Sequence, residues 1–264
     1  MLHIHFFEGV LSSSLHALDP YALLGIFAAL VLGGMVKGVV SIGVPLVAMP
    51  ILSQFLPIKQ AVLLLSMPII LGNIPQALEG GEMLQTARRI AAPLVGTVLG
   101  NIVGVTMLVS LAPRIALAAA GGLLIFAALI LLASPKLTIR PAMAKPAGLV
   151  LGFGAALMES IASVPGPLLA MYLIATGVTG KAFTKQIAII LVVSILTLIA
   201  TFGSSVHAGW SDLLISAAAS IPVIIGIVLV RPLRDKLPPK AFRILVLVFV
   251  LMAAAQMIWK SGVL

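Results

Sequence analysis

The sequence predicts an all-α polytopic membrane protein built as two inverted repeats, each an interrupted re-entrant helix hairpin followed by three transmembrane helices. Composition, an internal duplication and the placement of basic residues lead there. Of 264 residues, 61% are hydrophobic and 9% charged, where a soluble domain carries about 25% charged residues. Apolar segments recur along nearly the whole chain, and a helix crosses the hydrocarbon core with roughly 20 apolar residues. Strands of a membrane barrel would instead alternate apolar with polar positions.

The duplication appears at a shift of 122 positions, which lays "SIGVPLVAMPIL" (41–52) on "SVPGPLLAMYLI" (163–174). Ser41 then matches Ser163, Pro45 matches Pro167 and Lys59 falls on Lys181. Further along, "LAPR" (111–114) corresponds to "LPPK" (237–240) at a slightly larger shift.

The elements follow in order. Residues 1–20 have no basic stretch ahead of an apolar core, so they are expected as an amphipathic lead-in at the membrane surface rather than a signal peptide. The first repeat, 21–134, holds an interrupted segment over 21–56 and helices over 59–78, 90–110 and 115–134. A basic cytoplasmic linker, 135–146, carries Lys136, Arg140 and Lys145. The second repeat, 147–264, holds an interrupted segment over 147–177 and helices over 186–203, 212–230 and 242–259.

Charge decides whether the interrupted segments cross or return, because basic residues collect on the cytoplasmic side. If each segment crossed once, the better orientation would leave Arg88, Arg89, Lys136, Arg140, Lys145 and Lys260 outside. If each returns to its starting side, only Lys59, Arg114 and Lys260 are outside. The second arrangement is therefore expected, and three full crossings per half, an odd number, invert the second repeat. The net charge of +9 has the same origin, so the bilayer is the expected partner and nucleic acid is not.

The breaks carry the chemistry. A proline in the first turn of a helix costs little, because its N–H would lack an intrahelical partner anyway. Pro45 and Pro167 are therefore expected to begin the returning arms. Free N–H groups at a helix start attract an anion, and Ser41 and Ser163 are expected as N-cap hydroxyls. Gly43, Val44, Ser160 and Gly166 complete the two tips. Gly34, Gly38, Gly152 and Gly154 fit either tight turns or close helix packing.

The same shift aligns Lys37 with Glu159, the two charged residues expected inside the membrane. An intramembrane charge is a functional candidate. In one reading Lys37 attracts the anion while Glu159 neutralises it in the empty site or carries a coupling proton. In the other, the two form a structural salt bridge between the halves. Asn73 joins the substrate-binding candidates, and Gln76, Asn101, Gln186 and Ser194 are secondary, either interhelical hydrogen bonds or ligand contacts. Trp210 and Trp259 fit interfacial anchors. His3, His5, His16 and His207 lack metal-ligand spacing and the chain has no cysteine, so neither a metal nor a cofactor is expected.

The pattern Gly34-x-x-x-Gly38, "SIGVPLVAMPIL" and "PIKQAV", repeated weakly as "SVPGPLLAMYLI" and "TGKAF", resembles the TauE/SafE family of membrane permeases over essentially the whole chain. Ser41 and the Val44-Pro45 pair stand where that family is commonly richer in glycine, as in a divergent branch. The resemblance implies a multi-pass protein of the cell (inner) membrane that moves small anions, such as sulfite or organosulfonates. No nucleotide-binding loop occurs, so coupling to protons or to the membrane potential is expected. Two other classes stay open: a membrane scaffold or assembly factor, and an intramembrane enzyme using Ser160 or Ser163 with Glu159 as base. The expectation is a non-enzyme.

Overall fold

A computed structural model describes residues 10–16, 18–40, 43–133, 137–206, 209–234 and 239–263. Among these the ordered elements are helices. A short α1 (Val10–His16) precedes α2 (Pro20–Val40), which breaks before α3 (Val44–Leu52). The first half continues through α4 (Ile58–Leu78), the short α5 (Met83–Arg89), α6 (Ala91–Ser110) and α7 (Pro113–Ala133). The second half runs α8 (Ala144–Ala162), α9 (Gly166–Ala175), α10 (Gly180–Val206), α11 (Trp210–Ala218), α12 (Ser220–Arg234) and α13 (Pro239–Ser261). Among the described residues, 8 segments are long and apolar enough to cross a membrane, α11 and α12 together forming one of them. The helix expected over 212–230 is broken at Ala219, since Pro222 lacks the N–H that would reach the carbonyl of Ala218.

Each half contains a hairpin. α3 runs back along α2, with Gly33 against Val44 and Ala48 and Gly25 beneath the ring of Phe55. α9 runs back along α8, with Gly154 near Leu168 and Gly148 under the Tyr172 hydroxyl. A backbone hydrogen bond from the Ile139 N–H to the Ala175 carbonyl, 2.8 Å, closes the second hairpin at its base.

Polar contacts sort the helix ends into two groups. At one end of the bundle, Lys59 Nζ donates to the Val109 carbonyl at 2.8 Å and Lys260 Nζ donates to Gln54 Oε1. There too, Gln60 Nε2 donates to Ser14 Oγ at 2.7 Å, and the Leu11 N–H donates to Asp212 Oδ1 at 2.8 Å. At the other end, Lys185 Nζ donates to the Gly81 carbonyl and Arg243 to the Leu131 carbonyl. Hence α4 runs antiparallel to α10, and α7 to α13. Lys59 and Arg243 also place cations on the last turns of α6 and α7, where the helix dipole is negative. The lead-in is not merely a surface helix: Leu11 of α1 is fully buried, and its N–H is tied to α11.

Two parallel pairs carry the closest packing. α6 lies on α8 through Gly96, Gly100 and Gly104, and α2 lies on α12 through Gly34, Gly38 and Gly226. A Cβ at Gly34 would overlap the Val223 carbonyl, one at Gly226 the Val31 carbonyl, and one at Gly152 the Pro93 carbonyl. Gly34, Gly38 and Gly152 therefore serve helix approach rather than turns.

Candidate functional site

The two breaks present the starts of α3 and α9. In the first, Gly43 holds the N-cap position, Val44 begins the helix and Pro45 follows. Ser41 and Ile42 lie outside the described residues. In the second, Pro165 holds the N-cap position, Gly166 begins the helix and Pro167 follows. Both prolines thus stand in the first helical turn as expected. Neither helix start has a side-chain cap.

The N-cap role expected of Ser163 is corrected. Ser163 instead terminates α8 in the left-handed region, φ 57, with its N–H bonded to the Glu159 carbonyl at 2.8 Å. Pro165, two residues on, takes the cap position, so the Ser163 hydroxyl has no helix start to bond. Among the described residues that hydroxyl has no hydrogen-bond partner.

Both arms are otherwise buried: Val44, Leu46, Ala48 and Met49 in α3, and Pro167, Leu168 and Leu169 in α9. Yet Gly43 is exposed and Gly166 partly so. Among the described residues, a Cβ at Gly166 would meet nothing within 4 Å, and one at Gly43 would meet only the Pro45 ring at 3.5 Å. Each uncapped start therefore opens onto free space, which sets it apart from the packed arm behind it.

Lys37 lies in the last turn of α2. Its Nζ lies against Gly72 of α4, where an added Cβ would meet it at 2.6 Å. Among the described residues Lys37 has neither a hydrogen bond nor an ion-pair partner. The salt bridge to Glu159 is therefore corrected: each charge faces the next long helix of its own half. At a shift of 122 positions Gly72 falls on Ser194; Lys37 meets the glycine on α4, and Glu159 meets the hydroxyl on α10.

Glu159 sits in a buried polar knot joining α6, α8 and α10. Its Oε2 accepts from Asn101 Nδ2 at 3.2 Å and from the Ser194 hydroxyl. Asn101 Nδ2 also reaches the Ser194 carbonyl at 2.8 Å and its hydroxyl oxygen at 2.7 Å. Ser160 Oγ donates to Asn101 Oδ1 at 2.8 Å. All four residues are fully buried, and among the described residues Glu159 Oε1 has no hydrogen-bond partner. Asn73 Nδ2 donates to the Ile69 carbonyl of its own helix at 2.6 Å. Asn101 and Ser194 are thus interhelical hydrogen bonds, and the structure brings Glu159 and Ser160 to them rather than to Lys37.

Sequence reading missed Asp212 and Ser216, both fully buried. Ser216 Oγ donates to the Leu64 carbonyl at 2.9 Å and accepts the Met67 N–H at 3.0 Å. The available signal was Pro68 in the interior of α4, which frees the Leu64 carbonyl and so calls for an outside donor.

The sequence model of the family described as Sulfite exporter TauE/SafE matches residues 26–257, spanning both hairpins and the long helices between them. No curated protein and no solved structure matches the chain.

Proposed function

This chain belongs to the TauE/SafE family, and from that premise we propose a secondary transporter for small anions, with sulfite or a short organosulfonate as substrate. The chain is a multi-pass membrane protein with 8 candidate spans among the described residues. Its site is proposed between the starts of α3 and α9, near the midplane of the cell (inner) membrane. One observation carries this reading: two uncapped helix starts, each open at a glycine while its arm is buried. Free N–H groups there amount to roughly half a positive charge per helix. The Val44 and Gly166 N–H groups, the unpartnered Ser163 hydroxyl and Lys37 supply the anion contacts, with Gly43, Pro45 and Pro167 shaping the tips. Ser41 belongs to the same set by its place in the repeat. Glu159 and Ser160, engaged in the knot, and Asn73, engaged by its own helix, lie outside it.

The inverted, re-entrant architecture is part of the proposal, with repeats 21–134 and 147–264 joined by a cytoplasmic linker at 135–146. Its support is the antiparallel course of α4 and α10, and of α7 and α13, which are equivalent in chain order. In the re-entrant topology Gln54 and Lys260 share the outer face, while Ile139 with Ala175 and Gly81 with Lys185 share the inner face. Single crossings would place each of those contacting pairs on opposite faces. For an intramembrane enzyme Ser160 would need an activating base, but it donates to Asn101 instead. A scaffold would give no reason for open helix starts in both halves.

The test is counterflow of labelled sulfite in proteoliposomes, with short sulfonates, sulfate and chloride as competitors. Sulfite exchange above protein-free liposomes is expected. Lys37→Met should raise the half-saturation concentration about tenfold or more, the loss of one charge-assisted contact. Absence of flux for every anion, or unchanged affinity in Lys37→Met, refutes the site.

A further inference from the structure

Glu159 is satisfied on one side only. Oε2 takes bonds from Asn101 and Ser194, while Oε1 is fully buried and bare. The nearby donors are already engaged. The Asn101 amide is shared between Glu159 and Ser194, the Ser194 hydroxyl points at Oε2, and the Ser160 hydroxyl points at Asn101 Oδ1.

Among the described residues no cation faces the carboxyl from the helices around it. α6 and α9 carry no Lys or Arg. Lys59 of α4 and Lys185 of α10 donate to the Val109 and Gly81 carbonyls at opposite ends of the bundle. Arg114 of α7, Lys181 of α10 and Lys145 of α8 itself are exposed. Tyr172, the titratable group on α9, has its hydroxyl against Gly148, three helical turns along α8 and about 16 Å from Glu159. Lys37 lies against α4.

An ionised carboxylate with one bare oxygen and no counter-cation is costly in a membrane interior. A proton at Oε1 removes that charge and keeps both bonds at Oε2, and a neutral hydroxyl without a partner costs far less than an uncompensated charge. We propose that Glu159 Oε1 binds the coupling proton of the transporter, in a site built by Asn101 and Ser194 and separate from the anion contacts. The link to the substrate is one turn of backbone. The Glu159 carbonyl accepts the Ser163 N–H at the tip of the second hairpin, so movement of α8 and α9 against α10 changes the carboxyl's partners and the helix start together.

This proposal rests on the transport reading, and the experiment separates the two. Proteoliposomes are assayed with labelled sulfite for counterflow, which needs no net proton movement, and for net accumulation under an imposed pH gradient. Wild type is expected to do both. Glu159→Gln should retain counterflow and lose accumulation to the level of protein-free liposomes, together with the proton flux read by a trapped pH dye. Retained counterflow also shows that the variant is folded. Should it fail to fold, Ser194→Ala serves: losing a donor to the ionised carboxylate, it should move the pH profile of accumulation toward higher pH. Wild type without counterflow overturns the transport reading and this proposal with it. Counterflow with no response to the gradient in wild type, wild-type accumulation in Glu159→Gln, or an unmoved profile in Ser194→Ala overturns the proton site alone.

Discussion

Ser216→Ala should destabilise the bundle far more than Ser66→Ala, although both serines are fully buried and both substitutions delete one hydroxyl. Pro68 interrupts the backbone ladder of α4, so the Leu64 carbonyl has no N–H four residues ahead. Ser216 on α11 supplies the missing donor at 2.9 Å and also accepts the Met67 N–H at 3.0 Å. Ser66 Oγ donates to the Val62 carbonyl at 3.0 Å, an acceptor already served by the Ser66 N–H within the helix. A buried acceptor left without a partner costs about 1–3 kcal/mol, while interhelical hydrogen bonds in membranes average about 0.6 and reach about 1.7 kcal/mol. The expected loss is therefore about 1–2 kcal/mol for Ser216→Ala and under about 0.5 kcal/mol for Ser66→Ala. Pro68→Ala restores an N–H to the ladder, so in that background the cost of Ser216→Ala should fall below about 0.5 kcal/mol, a coupling that a double-mutant cycle reads directly. Reversible unfolding in mixed micelles of rising SDS fraction, followed by far-ultraviolet circular dichroism, measures each value. Equal losses for the two serines, or an undiminished Ser216→Ala cost beside Pro68→Ala, would refute the assigned role.

The same unfolding assay should separate two glycines. Gly226→Ala drives a methyl into the Val31 carbonyl and should cost about 1–3 kcal/mol by overpacking. Gly122→Ala, with nothing within 4 Å, should be neutral or stabilising by up to about 1 kcal/mol, and similar losses at both sites would contradict the packing described. Topology is open to labelling, because the chain has no cysteine. Single cysteines near Lys59 and near Trp210 should both react with an impermeant reagent from outside, and one near Arg140 only from the cytoplasm. Opposite sidedness of Lys59 and Trp210 would overturn the re-entrant arrangement.

The sequence by itself determined the helical membrane class, the bounds of most long helices and the two breaks, because these depend on local quantities. Apolar length sets a span, and a proline with its neighbours sets a helix start. The expectation for Pro45 and Pro167 was legible for the same reason, and both stand in the first turn of their helices. Lateral choices were not legible. Lys37 and Glu159 align at a shift of 122 positions, which invited the inference that they meet, yet Lys37 lies against α4 while Glu159 is bonded to α6 and α10. Asn101 became a partner of Glu159 only because α6 of the first half packs on α8 of the second, a contact between residues 58 apart in the chain. Ser216 reached Leu64 across 152 positions. Ser163 left its expected cap because Pro165 takes that position, leaving Ser163 to end α8. Local composition decides whether a segment is a helix and where it begins, whereas the neighbour of each polar side chain is set by close packing of the glycine-lined faces, and only the tertiary structure decides that.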